Sequence, residues 1–272
     1  MTDSPPPAPP LQVIETIVRA VKFVWQGRND FMNLAFPAVL VLSVLNTGVA
    51  LVVSSPVVQD LAPETEQVEQ ALRINLLPFI LLILPFGYFW TTFAIGWHRR
   101  YLLPKEHQTV RQILTWRSRH TRYLLYAIGV TMIIATIVVV GASIAVFAPV
   151  LMVLVLGAAG VVYARFSQVL PSASIDHGLT LAESWALTQG NTSRIFAAIV
   201  ATWLPVIVVV SVAERLLILA LGGSETFMAL FVRAFVGNFV GYIGVAVGVS
   251  LLSLIYDHLR VGQGPSVDLK VF

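Results

Sequence analysis

The chain contains no cysteine. That excludes disulfides, thiolate metal sites, lipidated cysteines and cysteine nucleophiles. Charge is also scarce. Only 11% of the 272 residues are Asp, Glu, Lys or Arg, where a soluble domain carries about 25%. The long apolar runs show no period-two alternation, which argues against the strands of a barrel. Motifs that carry chemistry are missing too. There is no Walker loop, no dinucleotide-binding glycine fingerprint, no GxSxG and no HExxH. The N-terminus, MTDSPPPAPP, is no signal peptide: it has an acid, no positive n-region and five prolines before any apolar run.

What the chain has is apolar length. It is 57% hydrophobic, with a mean hydropathy of +0.83. A helix crosses the hydrocarbon with roughly 20 apolar residues. Six stretches qualify: 34–54, 76–97, 123–147, 149–170, 195–212 and 227–256. The expected fold is an all-α integral membrane protein with six transmembrane helices, folded as one membrane domain over 11–260. A Pro-rich disordered tail (1–10) precedes it and a C-terminal tail (261–272) follows.

Orientation follows from the basic residues. Fourteen of the 17 fall on one side of this topology, in the N-tail, the second and fourth connections and the C-tail. Only Arg73, Arg215 and Arg233 fall on the other. The positive-inside rule then places both termini in the cytoplasm. All five histidines fall on that basic side, whereas the first opposite connection is acidic, with Asp60, Glu64, Glu66 and Glu69.

Three segments are too polar to cross. In 11–26, Gln12, Glu15, Arg19, Lys22 and Gln26 recur every three or four positions opposite Val13, Ile14, Ile17, Val21, Val24 and Trp25. That pattern predicts an amphipathic helix lying in the interface. The segments 107–120 and 179–189 repeat it, with Thr109/Gln112 and Thr180/Glu183 spaced as capping boxes. Gln26-Gly27 and Gln189-Gly190 end the first and third, where glycine supplies a left-handed stop. Each interfacial helix precedes two spans. WQGRNDF (25–31) is similar to LTQGNTSRIF (187–196), and GWHRRYLLP (96–104) to YARFSQVLP (163–171). The expectation is three parallel repeats, 11–104, 105–171 and 172–260.

Three groups of residues are candidates for function. Arg99, Arg100, Arg111, Arg117, Arg119 and Arg122 crowd the second connection, and Arg165 and Arg194 flank the fourth. They either set topology or hold anionic lipid headgroups, at about 1 kcal/mol per basic residue near an anionic leaflet. Gly237, Gly241, Gly244 and Gly248 make one smooth stripe on the last span, either for internal packing or as a homodimer seam. Asp176, His177 and Glu183 could form a polar site, but the spacing of Glu183 from Thr180 reads first as a capping box. No metal or cofactor site is expected, nor a nucleic-acid surface. Glu214, Arg215 and Arg233 lie near the outer ends of the last two spans, where snorkelling or a Glu214–Arg233 ion pair would account for them.

One resemblance adds to this. Arg165 near a span end, then Leu170-Pro171, then LAESWALTQGN (181–191) resembles a group of bacterial inner-membrane proteins. These are similar to the membrane domain of some glycerophosphoryl diester phosphodiesterases. The resemblance implies a polytopic helical domain in the bacterial inner membrane. The phosphodiesterase barrel, with its metal-binding carboxylates and catalytic histidines, has no counterpart here, so hydrolysis is not implied. The expected function is non-enzymatic: binding of anionic lipid, or of a partner membrane protein or second copy, through the basic collar and the glycine-striped helix. The alternative is a small-molecule transporter or channel, since internal repeats are common in transporters.

Overall fold

The apolar runs do form helices. The computed structural model describes residues 9–53, 67–106, 109–145, 148–222, 224 and 226–261. Among these it is all-helical, with no strand. The N-terminal tail to residue 8, the acidic connection, His107, Phe147 and the C-terminal tail lie outside the described residues, as do the side chains of Glu69 and Arg73.

The helices are α1 (Val13–Gln26), α2 (Arg28–Val53), α3 (Gln67–Leu102), α4 (Val110–Leu114), α5 (Ser118–Ala145), α6 (Leu151–Phe166), α7 (Val169–Ser174), α8 (Leu181–Leu187), α9 (Thr192–Ala220) and α10 (Phe227–Val261). Five stretches are long and apolar enough to cross a membrane: Arg28–Val52, Ser118–Ala145, Leu151–Ser174, Thr192–Ala220 and Phe227–Arg260. The stretch 76–97 is helical throughout, inside the 36-residue α3. It is not among the five. Its apolar first part, to Leu81, has no described side chains, and the described remainder runs through Tyr88, Trp90, Thr91 and Thr92 into His98, Arg99 and Arg100.

The bundle is built around α10. Of its most apolar window 72% is buried, against 11–33% in the other four. It packs on α1, α2, α3, α7 and α9. A helix that is apolar all round belongs inside a bundle, and α10 is apolar on every side. The glycine stripe serves this packing only in part. A Cβ on Gly244 would lie 2.6 Å from Val206, and one on Gly248 would lie 3.2 Å from Trp203. So α9 sits close against these two. Beside Gly237 and Gly241 an added Cβ meets nothing within 4 Å.

The three short helices differ from one another. In α1 three faces replace the two expected. Thr16, Ala20 and Val24 are buried, and Phe23 meets Trp97 and Tyr101 edge-on at 5.7 and 5.1 Å. Ile14, Val18, Val21 and Trp25 form a second apolar strip, exposed beside the polar one. The segment 107–120 does not make one helix. It gives the five-residue α4, then an extended break at Thr115, and Ser118–His120 already belong to α5. The Arg117 N–H donates to His120 Nδ1 (3.0 Å), which starts the new helix. Both capping boxes form, at Thr109/Gln112 and Thr180/Glu183.

Of the two glycine stops, Gly190 is left-handed, with φ +83°. Gly27 is not: its φ is −87°. The chain there passes straight from α1 into α2, with the Phe31 N–H donated to Gly27 O at 2.9 Å. Glycine suits this position by closeness, because a Cβ would lie 3.2 Å from Phe23 O and 3.3 Å from Trp97.

Candidate anion site at the basic end

The end of α3, the start of α5 and the joint between α7 and α8 meet at one end of the bundle. Arg99 is the residue that joins them. Its side chain is only 8% exposed. Nη1 donates to Ser174 O (3.0 Å), the last residue of α7, where carbonyls without helical partners favour a cation. Nη2 pairs with Glu106. Asp176 stands 3.5 Å from Arg99 Nη1 and 3.3 Å from Arg119 Nη1. Its carboxylate therefore bridges two arginines from different helices. Asp176 holds φ +62°, a conformation that Asp tolerates better than most residues. Arg99 Nε is buried and has no hydrogen-bond partner.

A cavity of about 280 Å³ opens beside this cluster, lined by Arg99, Arg117, Arg119, Glu106, Gln112 and His120, with Ile95 and Ile113. Arg99, Glu106 and Ile113 also line a second cavity of about 420 Å³, along with Asp30, Asn33 and Arg100. The Arg99–Glu106 pair thus stands between the two. Three guanidiniums facing a small cavity make an environment for a phosphate-bearing group, because the planar fork of Arg matches two oxygens at once. Glu106 tempers the charge, and Arg119 shares Asp176 with Arg99.

The eight arginines expected to form a collar divide into two sets. Arg99 and Arg119 are held as described. Arg100 pairs with Asp30 and lies over the Trp97 ring at 6.0 Å. Arg165 donates to Trp185 O (2.9 Å) and lies 4.9 Å over the Trp185 ring, fastening α6 to α8. Arg111, Arg117, Arg122 and Arg194 are exposed and make no ion pair among the described residues. Of these, only Arg117 faces the smaller cavity.

Asp176, His177 and Glu183 are each engaged by different partners, Asp176 by Arg99 and Arg119. His177 Nδ1 is 2.8 Å from Tyr256 OH, and Glu183 closes the box on Thr180 at 2.7 and 2.8 Å. Among the described residues no group of His, Cys, Asp and Glu could hold a metal. Burial, then the charge of Arg260, lowers the pKa of His177. The hydrogen bonds from Thr180 lower that of Glu183.

Several polar contacts had no signal in the sequence. Trp97 Nε1 donates to Ser250 Oγ (2.8 Å), and His98 Nδ1 meets Ser253 Oγ (2.7 Å). Asn191 Oδ1 accepts from the Leu11 N–H (2.8 Å), and its amide reaches Pro9 O (3.3 Å). These pin the first helix to the last third of the chain. At the opposite end, of the two accounts offered for Glu214 and Arg233, the ion pair between them does not form. They line a shared cavity instead.

The architecture is that of an all-helical protein with at least five helices able to cross a membrane. Compared with known proteins, the chain matches no family model, no curated protein and no solved structure.

Proposed function

We propose that the chain is a six-span membrane protein, with its basic end and both termini on the cytoplasmic face of a bacterial inner membrane. Its function is to bind a phosphate-bearing anionic lipid headgroup there, without catalysis. The observation that carries the reading is the cavity lined by Arg99, Arg117 and Arg119, with the Nε of buried Arg99 left unpartnered. The sixth crossing is α3. Its 36 residues rise about 54 Å at 1.5 Å each, more than the ~30 Å hydrocarbon core. The order short helix, long, long recurs three times along the chain if α6 and α7 count as one long helix, which supports the triple repeat.

The exposed apolar strip of α1, Ile14, Val18, Val21 and Trp25, suits a helix lying in the headgroup region of the same leaflet.

The test is retention of anionic lipid by the full chain in native nanodiscs, counted by mass spectrometry. Arg117→Gln, which removes a cavity arginine without breaking an ion pair, lowers retention about fivefold, the equivalent of ~1 kcal/mol for one basic residue. Arg122→Gln, exposed but outside the cavity, leaves it unchanged. Equal effects from both would reduce the arginines to topology signals and sink the reading.

A further inference from the structure

At the end of the bundle away from the arginine cluster, α2, α9 and α10 line a half-open cavity of about 360 Å³, with Glu214 exposed at its edge. Ligand pockets run from about 300 to 1,000 Å³, so this one admits a small polar molecule or one headgroup. Its floor is α10. The small residues Ala50, Ala213, Ala234 and Gly237 leave it open, and a Cβ added to Gly237 meets nothing within 4 Å.

The polar lining is what makes the cavity specific. Glu214 from α9 and Arg233 from α10 both face it, and they do not pair with each other. Asn46 and Thr47 come from α2 and Asn238 from α10. Asn238 is held in place by donating from Nδ2 to Ser43 Oγ at 3.1 Å. Arg233 is six residues into α10, or about 9 Å from its start at 1.5 Å per residue. That depth is close to the headgroup boundary, where an arginine can reach polar groups of a headgroup.

We propose that this cavity binds a zwitterion, with its anionic group on Arg233 and its ammonium on Glu214. A lone anion would satisfy Arg233 and be repelled by Glu214; a lone cation would do the reverse. A molecule carrying both charges a few bonds apart satisfies both, and the asparagine amides serve its remaining polar atoms. The phosphoethanolamine headgroup has this chemistry, whether it arrives attached to a bilayer lipid or free in solution. The site lies at the other end of α10 from the arginine cavity, so either can fail alone.

The experiment uses the full chain in nanodiscs of phosphatidylglycerol, with and without phosphatidylethanolamine. Native mass spectrometry counts retained lipid. Calorimetry with phosphoethanolamine, in discs of phosphatidylglycerol alone, tests the free zwitterion. Wild type retains phosphatidylethanolamine in preference to phosphatidylglycerol. Arg233→Gln and Glu214→Gln each weaken retention about tenfold or more, the scale of one charge-assisted hydrogen bond. Gly237→Leu, whose Cβ meets nothing within 4 Å and whose side chain enters the cavity, abolishes it, with an unchanged melting temperature showing that the fold is kept. Arg215→Gln, which is outside the cavity, changes nothing. Heat from free phosphoethanolamine that vanishes in the same variants assigns the ligand to solution. Retained lipid without that heat assigns it to the bilayer. Absence of both, or retention indifferent to Gly237→Leu and both charge variants, overturns the site.

Discussion

Replacing Gly244 by alanine tests the packing of the central helix, with Gly237 as its control. Both glycines belong to one stripe on α10. In water-exposed helices Gly→Ala gains about 1 kcal/mol of helix propensity, and both positions share that term. They differ in what the new methyl meets. At Gly244 it lies 2.6 and 3.3 Å from the two methyls of Val206 and 3.5 Å from Trp203. Ordinary contact begins about 1 Å further out, so α9 and α10 must separate or Val206 must move. Overpacking of this kind costs about 1–3 kcal/mol. At Gly237 nothing stands within 4 Å. The net expectation is ~0–2 kcal/mol of destabilisation for Gly244→Ala and up to ~1 kcal/mol of stabilisation for Gly237→Ala, so the two variants differ by ~1–3 kcal/mol.

Reversible unfolding in mixed micelles, titrated with denaturing detergent, measures the difference. Val206→Ala in the Gly244→Ala background should restore part of the loss, because the two sites are in direct contact and should couple. If Gly244→Ala is as stable as Gly237→Ala and neither is less stable than wild type, the α9–α10 contact is not the reason for glycine at 244. If Gly237→Ala is equally destabilised, the stripe packs against something beyond this chain, and a seam between copies replaces internal packing.

Four further outcomes follow from the basic end. Asp176→Ala removes the carboxylate shared by Arg99 and Arg119, whose side chains are 8% and 15% exposed. It should cost about 2 kcal/mol, below the 3–5 of a fully buried pair, in the same unfolding assay. Thr180→Ala and Thr109→Ala should each cost ~1 kcal/mol through the lost caps. Because Thr180 lowers the Glu183 pKa, the folded state favours the carboxylate. That stability is present above the unfolded pKa of 4.5 and is lost as pH falls through the lowered value; Glu183→Gln removes this part of the pH profile. The pKa of His177 is also lowered, so the neutral ring is favoured while Tyr256 OH can donate to Nδ1. Its contribution holds above pH 6.5 and is lost as pH falls below it, and His177→Gln flattens that slope.

Much of the helical pattern was legible in the chain because it rests on local physics. Apolar runs of sufficient length must be helices in lipid, where every backbone group needs a partner. The boxes Thr109/Gln112 and Thr180/Glu183 involve neighbours in sequence, and they formed as expected. The segment 107–120 was missed for a local reason: the chain is extended at Thr115, and the Arg117 N–H donated to the His120 ring starts a new helix. The misreading of Gly27 came where distant parts meet. Gly27 looks like a helix stop because it follows glutamine at the end of an amphipathic pattern. What crowds it is Trp97, some seventy residues away, 3.3 Å from where a Cβ would stand.

The candidate site was half legible for the same reason. A count of basic residues finds Arg99, Arg117 and Arg119 but treats all eight collar arginines alike. What separates them is whether an acid or a carbonyl from elsewhere in the fold reaches each one. Arg99 is met by Ser174, Glu106 and Asp176, contributed by the end of α7 and two different connections, and no spacing rule links these to residue 99. Arg122 shares a connection with Arg119 and meets none of them. Charge density in the sequence therefore locates the basic end, while the choice between a buried bridge, a cavity wall and a free surface cation is made by tertiary neighbours. Opposite charges that decline to pair are equally invisible. Glu214 on α9 and Arg233 on α10 flank one connection and could pair across it, yet they line a common cavity with Ala50, Ala213, Ala234 and Gly237.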